Sequence, residues 1–385
     1  MPHGDHRAVR VRDVVIVGGG PVGTMLACML AMRGLDVQVL EQRTEPSMRS
    51  RAIGIHPPLL GVLDEIGVGR EIVRRGTHVQ EGSVHCDGRG LGTLSFAELP
   101  TRYPFIVTLP QHVTESLLRS RLEQLRPGCL SGGMTVTGIR EHPEHVEVLS
   151  DTGVTVPARF VVAADGAQSR VRDVMRIGWT ALGRPETYLM GDYVDTGTAG
   201  DTAMLYFERG GVVESFPLPD GLRRWVAMTD FLAGEATSGD LAEIIRHRTG
   251  AAVGDPRSVA SAFAVRQHLA ARLSAGRVAL VGDAGHQISP IGGQGMNLGW
   301  LDAAALAPAI DHGLAEPRQA ESALGAYGRR RRRAAVMAAR QAGFNMTMGR
   351  PATGLRLRAR NTLVRALACP PADALLARAF TMRWL

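Results

Sequence analysis

The chain has 385 residues, a formal net charge of +7 and a hydrophobic fraction of 45%. This length exceeds what one hydrophobic core usually holds, so we expect two lobes or one domain with a large insertion. All 44 basic residues are arginine, which excludes Schiff-base catalysis and phosphate binding by a P-loop lysine.

The arginines are dispersed except for the run 329–333. We interpret that run as one solvated helix face and expect no nucleic-acid partner; an acidic carrier protein docking there is the less favoured alternative. No apolar run approaches the length of a membrane span, and residues 1–10 contain no apolar signal core. These features predict a cytoplasmic protein without an integral membrane segment. The four cysteines lack paired spacing, so we expect neither a disulfide framework nor a metal site.

The first predicted unit is a strand, a glycine turn, a helix and a second strand. Gly18, Gly20 and Gly23 follow the apolar run 14–17 at the spacing of a dinucleotide-binding turn. The first glycine permits the tight turn, the second lets backbone amides approach a pyrophosphate, and the third lets the helix pack on the strand. Glu41 ends the second strand, where a carboxylate accepts hydrogen bonds from a ribose hydroxyl and repels a 2′-phosphate. The pattern therefore predicts FAD or NAD, and not NADP, as the resident dinucleotide.

The segment after the second strand is basic and leads into mixed structure. Arg51 is placed to reach a pyrophosphate, although surface solvation is the alternative role. A short helix is predicted over 59–67, short strands over 77–105 and a longer amphipathic helix over 111–125. Gln111 lies at the start of that longer helix, where it either contacts the dinucleotide or caps the helix.

Two further acids follow predicted buried strands. Asp165 comes after the apolar run 160–164, and Asp283 comes after the run 278–281. Acids at the carboxyl ends of parallel strands lie where ligands bind in an open α/β sheet. The glycine-rich loop 292–297 follows and leads into a helix that begins near Met296. Its backbone amides and helix dipole suit a ring that becomes anionic when it is reduced.

The segment from Tyr188 to Phe263 loses helical periodicity and alternates between apolar and polar residues. This pattern predicts a mainly antiparallel sheet inserted into the nucleotide-binding domain. The fold class is therefore α/β: a Rossmann-like dinucleotide-binding domain with an inserted antiparallel substrate domain and C-terminal helices.

Together, three motifs resemble the flavoprotein monooxygenases of the para-hydroxybenzoate hydroxylase type, the group A aromatic hydroxylases. The motifs are the glycine turn 18–23 with Glu41, the segment 165–172, and the segment from Gly282 to Asp302. They span residues 14–302, about three quarters of the chain. The resemblance implies that the dinucleotide is FAD, tightly bound.

The resemblance also implies a set of site residues and a division into domains. The cofactor-binding residues would be Gly18, Gly20, Gly23, Glu41, Arg51, Gln111, Asp165, Asp283, Gly295, Met296 and Asn297, and the loop at the oxygen-reacting face of the flavin would contain Pro290 and Gly292. The FAD-binding domain would comprise 1–75, 98–180 and 264–345, the substrate domain 76–97 and 181–263, and a helical segment 346–385. From the end of the sequence at Leu385 we expect no thioredoxin-like third domain.

The activity so implied is hydroxylation or epoxidation of an aromatic or polycyclic small molecule, in secondary metabolism or aromatic catabolism. NADPH or NADH reduces FAD transiently, O2 forms a flavin C4a-hydroperoxide, and its distal oxygen passes to the substrate. The protein positions the substrate and excludes water. His56, His268 and His286 are the candidates for a general base, His286 being assigned to the loop scaffold; no base is assigned.

Several alternatives stay open. A flavin-dependent reductase of isoprenoid double bonds differs in using no oxygen, and a membrane-peripheral quinone-ring hydroxylase differs in its substrate. A protein in which FAD is only structural would show no turnover. A flavin-dependent halogenase is disfavoured because its family pattern requires a lysine, which this chain lacks.

Overall fold

The structure is a computed structural model that describes residues 10–45, 52–230, 232, 234–289, 293–370 and 372–381. Its strands are β1 Arg12–Val17, β2 Val37–Leu40, β3 Gly54–Ile55, β4 Thr77–Val79, β5 Glu81–Cys86, β6 Arg89–Ser95, β7 Ile106–Thr108, β8 Leu130–Ser131, β9 Val136–Glu141, β10 Val146–Ser150, β11 Thr155–Ala163, β12 Trp179–Val194, β13 Ala203–Glu208, β14 Gly211–Leu218, β15 Leu222–Thr229, β16 Ser261–Ala270, β17 Ser274–Ala275, β18 Val278–Leu280 and β19 His286–Gln287. Its α-helices are α1 Pro21–Ala31, α2 Pro57–Glu65, α3 Gly69–Arg75, α4 Gln111–Leu125, α5 Arg170–Val174, α6 Ser238–Thr249, α7 Gln294–Ala315, α8 Ala320–Gly349, α9 Gly354–Leu367 and α10 Ala372–Phe380.

The first sheet contains the predicted dinucleotide-binding unit. Its strands run in the order β17-β18-β11-β1-β2-β8, and β18, β11, β1, β2 and β8 are parallel to one another. The apolar run 14–17 is buried because β1 lies between β2 and β11 and is covered by helices. Helix α1 packs between α4 and α7 on this sheet. The carboxyl ends of β1, β2, β11 and β18 therefore meet at one edge.

The second sheet has the order β19-β16-β12-β15-β14-β13-β5-β6, with antiparallel pairs except β13 beside β5. Side chains alternate between its faces. Leu189, Tyr193 and Trp225 pack on α6, whereas Tyr188 and Phe263 face the other way, toward Met346 of α8. The inserted antiparallel sheet predicted from the sequence is thus present, and the α/β fold class is confirmed.

The domain boundaries stay a prediction. Strands β5 and β6 join the second sheet, as the segment 76–97 suggested, but β16 and β19 extend that sheet to Gln287. Helix α8 is continuous across residue 346. Helices α9 and α10 contact β6 and close that end of the sheet. In the part of the chain that the structure describes, every helix is too short or too polar to span a membrane.

The interpretation of 329–333 as one solvated face is wrong at its central residue. Arg331 is buried, while Arg329, Arg330, Arg332 and Arg333 are exposed. An α-helix turns by about 100° per residue, so five consecutive side chains cannot share one face. Arg331 points into the protein because a buried carboxylate lies there.

Candidate active site

One cavity of about 1020 Å³ connects the carboxyl edge of the first sheet to the face of the second. The predicted residues that line it are Gly18, Gly20, Glu41, Gln111, Asp165, Asp283, Gly295 and Met296. Gly23 and Asn297 lie next to the cavity without lining it, and Arg51, Pro290 and Gly292 fall outside the described residues. A pocket for one drug-sized ligand holds roughly 300–1,000 Å³, so this cavity is large enough for a cofactor and a second molecule.

The glycine turn has two structural glycines and one that faces empty space. Gly18 has φ +105°, and an added Cβ would lie 2.4 Å from the carbonyl oxygen of Ala164. A Cβ on Gly23 would lie 2.0 Å from the carbonyl oxygen of Gly18. A Cβ on Gly20 would meet no described atom within 4 Å. The protein itself requires the first and third glycines, whereas the second leaves room for a ligand at the start of α1.

Glu41 is buried at the end of β2 and is held by hydrogen bonds. Its Oε2 accepts from the Gly19 amide at 2.7 Å, and its Oε1 accepts from Arg43 Nε at 2.9 Å. Burial alone raises the pKa of Glu41, but the bonds from Arg43 and Gly19 outweigh it and hold the pKa below the usual value. The carboxylate is therefore ionised. It already accepts from the Gly19 amide and from the Arg43 amide and guanidinium, so a ribose hydroxyl would share or replace one of these bonds. Arg43, which the sequence analysis missed, stands two residues after the acid.

Asp165 follows β11 and carries a buried oxygen with no described partner. Its Oδ2 accepts from the Val171 amide at 3.2 Å, and its Oδ1 has no hydrogen bond. Burial raises the pKa of Asp165 despite the hydrogen bonds that favour its charged form. Arg172 joins this turn to the next, because its Nη1 donates to the carbonyl oxygens of Ala167 and Ala284.

Asp283 lies in a turn that a buried ionic cluster fixes in place. Asp302 accepts hydrogen bonds from the Gly282 amide at 3.0 Å, from His286 Nε2 at 2.5 Å and from Arg331 Nε at 2.7 Å. Burial raises the pKa of Asp302, but His286 and Arg331 outweigh it and lower the pKa. Asp283 lines the cavity with an exposed side chain. Desolvation by the surrounding protein raises its pKa, although the nearby His286 acts in the opposite direction.

Asn297 connects the start of α7 to the β3 segment. Its Oδ1 accepts from the His56 amide at 2.9 Å, and its Nδ2 donates to the carbonyl oxygens of Gly54 and Gly293 at 2.8 and 2.6 Å. Gly295 and Met296, in the first turn of the same helix, line the cavity. The contact of this backbone with a flavin ring stays a prediction, and the observed role of the Asn297 side chain is to hold two cavity walls together.

The far end of the cavity is an apolar surface. The second sheet contributes Val84, Met190, Leu205, Phe207, Val212, Phe216, Val226, Phe263 and Val265. The helices above it contribute Phe344, Met348, Val364, Leu367, Leu376 and Phe380. Tyr188, Glu214 and Arg224 are polar residues on the sheet side. This end can bury a large apolar ligand and exclude water from it.

The three candidate histidines lie in different surroundings. His56 lines the cavity and stacks on Phe380, with ring centroids 5.9 Å apart. His268 stacks on Trp179 and does not line the cavity. His286 is bonded to Asp302 and is part of the loop scaffold, as predicted.

The residues at the first-sheet edge fit an adenine dinucleotide. The open space beside Gly20, the ionised Glu41 and the unpartnered oxygen of Asp165 lie along one cavity. The start of α1 has no described side-chain cap and no acid in its first turn, so its amides are available to a pyrophosphate. These features define a Rossmann-type site for an adenine dinucleotide.

Comparison with known proteins specifies that site further. Residues 12–342 match the family model described as FAD binding domain, and the chain belongs to this family of FAD-dependent aromatic hydroxylases. FAD is its cofactor.

Three similar proteins illustrate the relationship. A 6-methylpretetramide 4-monooxygenase of Streptomyces rimosus is 35% identical over 314 residues, which are 77% of this chain and 55% of the relative. The structure of the anhydrotetracycline hydroxylase OxyS from the same species matches with a TM-score of 0.79 and 28% identity, covering 97% of this chain and 76% of that one. The p-nitrophenol 4-monooxygenase PnpA of Pseudomonas putida DLL-E4 shares the fold, with a TM-score of 0.84, 24% identity and coverage of 96% and 97%. This chain spans 55–62% of the length of several curated relatives that it matches.

Proposed function

We propose that the protein is an FAD-dependent monooxygenase that uses NADPH or NADH and O2 to hydroxylate or epoxidise a polycyclic aromatic compound. The observation that carries this proposal is the continuous cavity, which joins the dinucleotide crevice to the apolar face of the second sheet. The names of two similar proteins, a 6-methylpretetramide monooxygenase and an anhydrotetracycline hydroxylase, support a polycyclic substrate.

The residues present would hold FAD along the edge of the first sheet. Glu41 would accept from the adenosine ribose, the turn at Gly20 would face the pyrophosphate, and Asp165 and Asp283 would accept hydroxyl hydrogens. Gly295 and Met296 would border the flavin ring, with Pro290 and Gly292 in the preceding loop and Arg51 near the pyrophosphate. When bound, FAD would take up electrons from the nicotinamide and use them to activate O2.

The protein itself would position the substrate and exclude water from it. The apolar side chains of the second sheet and of α8 to α10 would remove the substrate from water and orient its ring. We assign no histidine as a general base. We retain an acidic carrier protein as a proposed partner on account of the exposed arginines 329, 330, 332 and 333.

The proposal is tested with purified, FAD-loaded protein and a panel of polycyclic phenols. We expect the oxidation of NADPH or NADH and the uptake of O2 to rise together when a substrate is added, and we expect 18O from labelled O2 in the product. Reduction of an isoprenoid double bond without O2 uptake would instead establish the reductase alternative. A flavin that no nicotinamide reduces in the presence of any panel member would contradict both.

A further inference from the structure

Among the described residues that line the apolar end of the cavity, Glu214 carries the one carboxyl group. Glu214 of β14 is aligned with Leu205 of β13 on one side and with Val226 of β15 on the other. The same row continues to Val84 of β5 and Met190 of β12. All five residues line the cavity, so a carboxyl group stands in a row of aliphatic side chains.

This carboxyl group lacks the partners that a structural role would provide. Glu214 is 4% exposed, and its Oε1 has no hydrogen bond to any described residue. Burial raises its pKa to about 7. A buried polar atom without a partner destabilises the folded state, and such costs are found where a ligand supplies the missing contact. The unsatisfied Oε1 of Glu214 therefore indicates that a ligand in the cavity donates a hydrogen bond to it.

The two other polar residues named on the sheet side of this end already have partners. Arg224 of β15 donates to Asp192 through Nε and Nη2 at 2.7 and 2.8 Å. Tyr188 of β12 donates its hydroxyl hydrogen to Glu186 at 2.9 Å. Among the described cavity-lining residues of α8, α9 and α10, none carries a charge; they are Phe344, Asn345, Met348, Gly349, Val364, Leu367, Leu376 and Phe380.

We propose that Glu214 anchors the substrate by hydrogen bonding a hydroxyl or amino group on an otherwise apolar aromatic ring system. This inference rests on the proposed function and adds the residue that would discriminate rings bearing a hydroxyl or amino group from the corresponding ethers and unsubstituted rings. An ionised carboxylate accepts the hydrogen of such a donor, and the bond increases electron density on the ring, which favours oxygen transfer to carbon. A hydrogen bond to a charged group corresponds to about 10- to 100-fold in affinity.

The test measures the affinity of matched aryl pairs for the FAD-loaded protein at pH 8, from the change in flavin absorbance. The pairs are 2-naphthol with 2-methoxynaphthalene, 4-phenylphenol with 4-methoxybiphenyl, and 9-phenanthrol with 9-methoxyphenanthrene; each of these phenols keeps its hydroxyl hydrogen at pH 8. We expect the hydroxylated member of at least one pair to bind about tenfold more tightly or better. Glu214→Met should abolish that preference, and Glu214→Gln should retain part of it because an amide still accepts a hydrogen bond.

Glu208→Gln is the matched control. Glu208 is a buried carboxylate of the adjacent strand β13 that accepts from the Asp87 amide and does not line the cavity. Its variant should keep the preference for the hydroxylated ligands. If no pair shows a preference, or if Glu214→Met keeps it, the proposal is overturned.

Thermal unfolding of the ligand-free protein separates this role from a structural one. Because the carboxyl group has an unsatisfied oxygen, Glu214→Met should leave Tm unchanged or raise it, whereas a structural residue would lower it. The two proposals, the monooxygenase activity and the Glu214 anchor, can fail separately. A Glu214-dependent preference without oxygen uptake would refute the monooxygenase and keep the anchor, and oxygen uptake without such a preference would do the reverse.

Discussion

The two ends of the cavity are built from different kinds of residues. At the first-sheet edge, the walls are glycine backbone and acids whose positions are fixed by other residues, such as Asp302 behind the turn of Asp283. At the second sheet, the walls are aliphatic and aromatic side chains around Glu214. The walls of the first end suit a ligand of one fixed shape. At the second end, replacing side chains would alter which substrate fits and would leave the first end unchanged.

The largest effect is expected where the dinucleotide end depends on a buried ion pair. Arg331→Leu leaves Asp302 buried with one charged partner fewer, so we expect the free energy of unfolding to fall by about 3–5 kcal/mol. Urea denaturation followed by circular dichroism measures this loss. Arg330→Leu is the control in the same helical turn, and since Arg330 is exposed its effect should stay within about 0.5 kcal/mol. Equal losses in both variants would show that the buried cluster is not what fixes the turn.

Two glycines of the turn should differ in role, one affecting the stability of the fold and the other affecting cofactor binding. Gly23→Ala places a methyl group against the Gly18 carbonyl and should destabilise the protein by about 1–3 kcal/mol. Gly20→Ala should leave the melting temperature of the apoprotein nearly unchanged, because its Cβ meets open space, and should weaken FAD binding. Differential scanning fluorimetry and FAD titration measure the two quantities. An apoprotein that Gly20→Ala destabilises as strongly as Gly23→Ala does would refute this division.

At the substrate end, the stability of the protein should depend on pH through Glu214. Its pKa is raised from 4.5 to about 7 by burial, so the folded state binds more protons than the unfolded state between these values. Stability is then lost as pH rises through 7. Relative to wild type, ligand-free Glu214→Gln should gain about 2 kcal/mol between pH 5 and pH 8. Parallel pH profiles of the two proteins in urea denaturation would show that Glu214 titrates normally.

The smallest effect is expected from filling the substrate end. Leu205→Phe adds volume beside Glu214 and should weaken the binding of 9-phenanthrol by about tenfold, or roughly 1–2 kcal/mol, while the affinity for FAD stays the same. Isothermal titration with each ligand measures both constants. Weaker FAD binding in this variant would indicate that the two ends are not independent.

The difference between the two ends of the cavity also determines which of their residues could be predicted from the sequence. Glycine spacing and acids after apolar runs are local patterns, so the sequence could predict Gly18, Gly20, Glu41, Asp165 and Asp283 as cofactor-binding residues. The structure places them along one cavity, and their contacts with the cofactor stay a prediction. Glu214 has no such signal: its neighbours Leu205 and Val226 come from other strands, and only the register of the sheet brings them together.

Arg331 is a different case, because a signal was present and was misinterpreted. Five consecutive arginines on a helix must direct at least one side chain inward, and the carboxylate that receives it, Asp302, lies 29 residues away. The sequence likewise has no local signal for the domain boundaries that would separate the two sheets. Helix α8 crosses residue 346 without a proline or glycine break at that point, and β19 returns to the second sheet after a segment of the first.

A crystal structure of the protein with FAD and a hydroxylated polycyclic ligand tests the account most directly. We expect the dinucleotide to extend from Glu41 past Gly20 to Met296, and the ligand to lie on the second sheet with its hydroxyl group within hydrogen-bond distance of Glu214. FAD bound away from these residues, or a ligand bound outside the shared cavity, would contradict it.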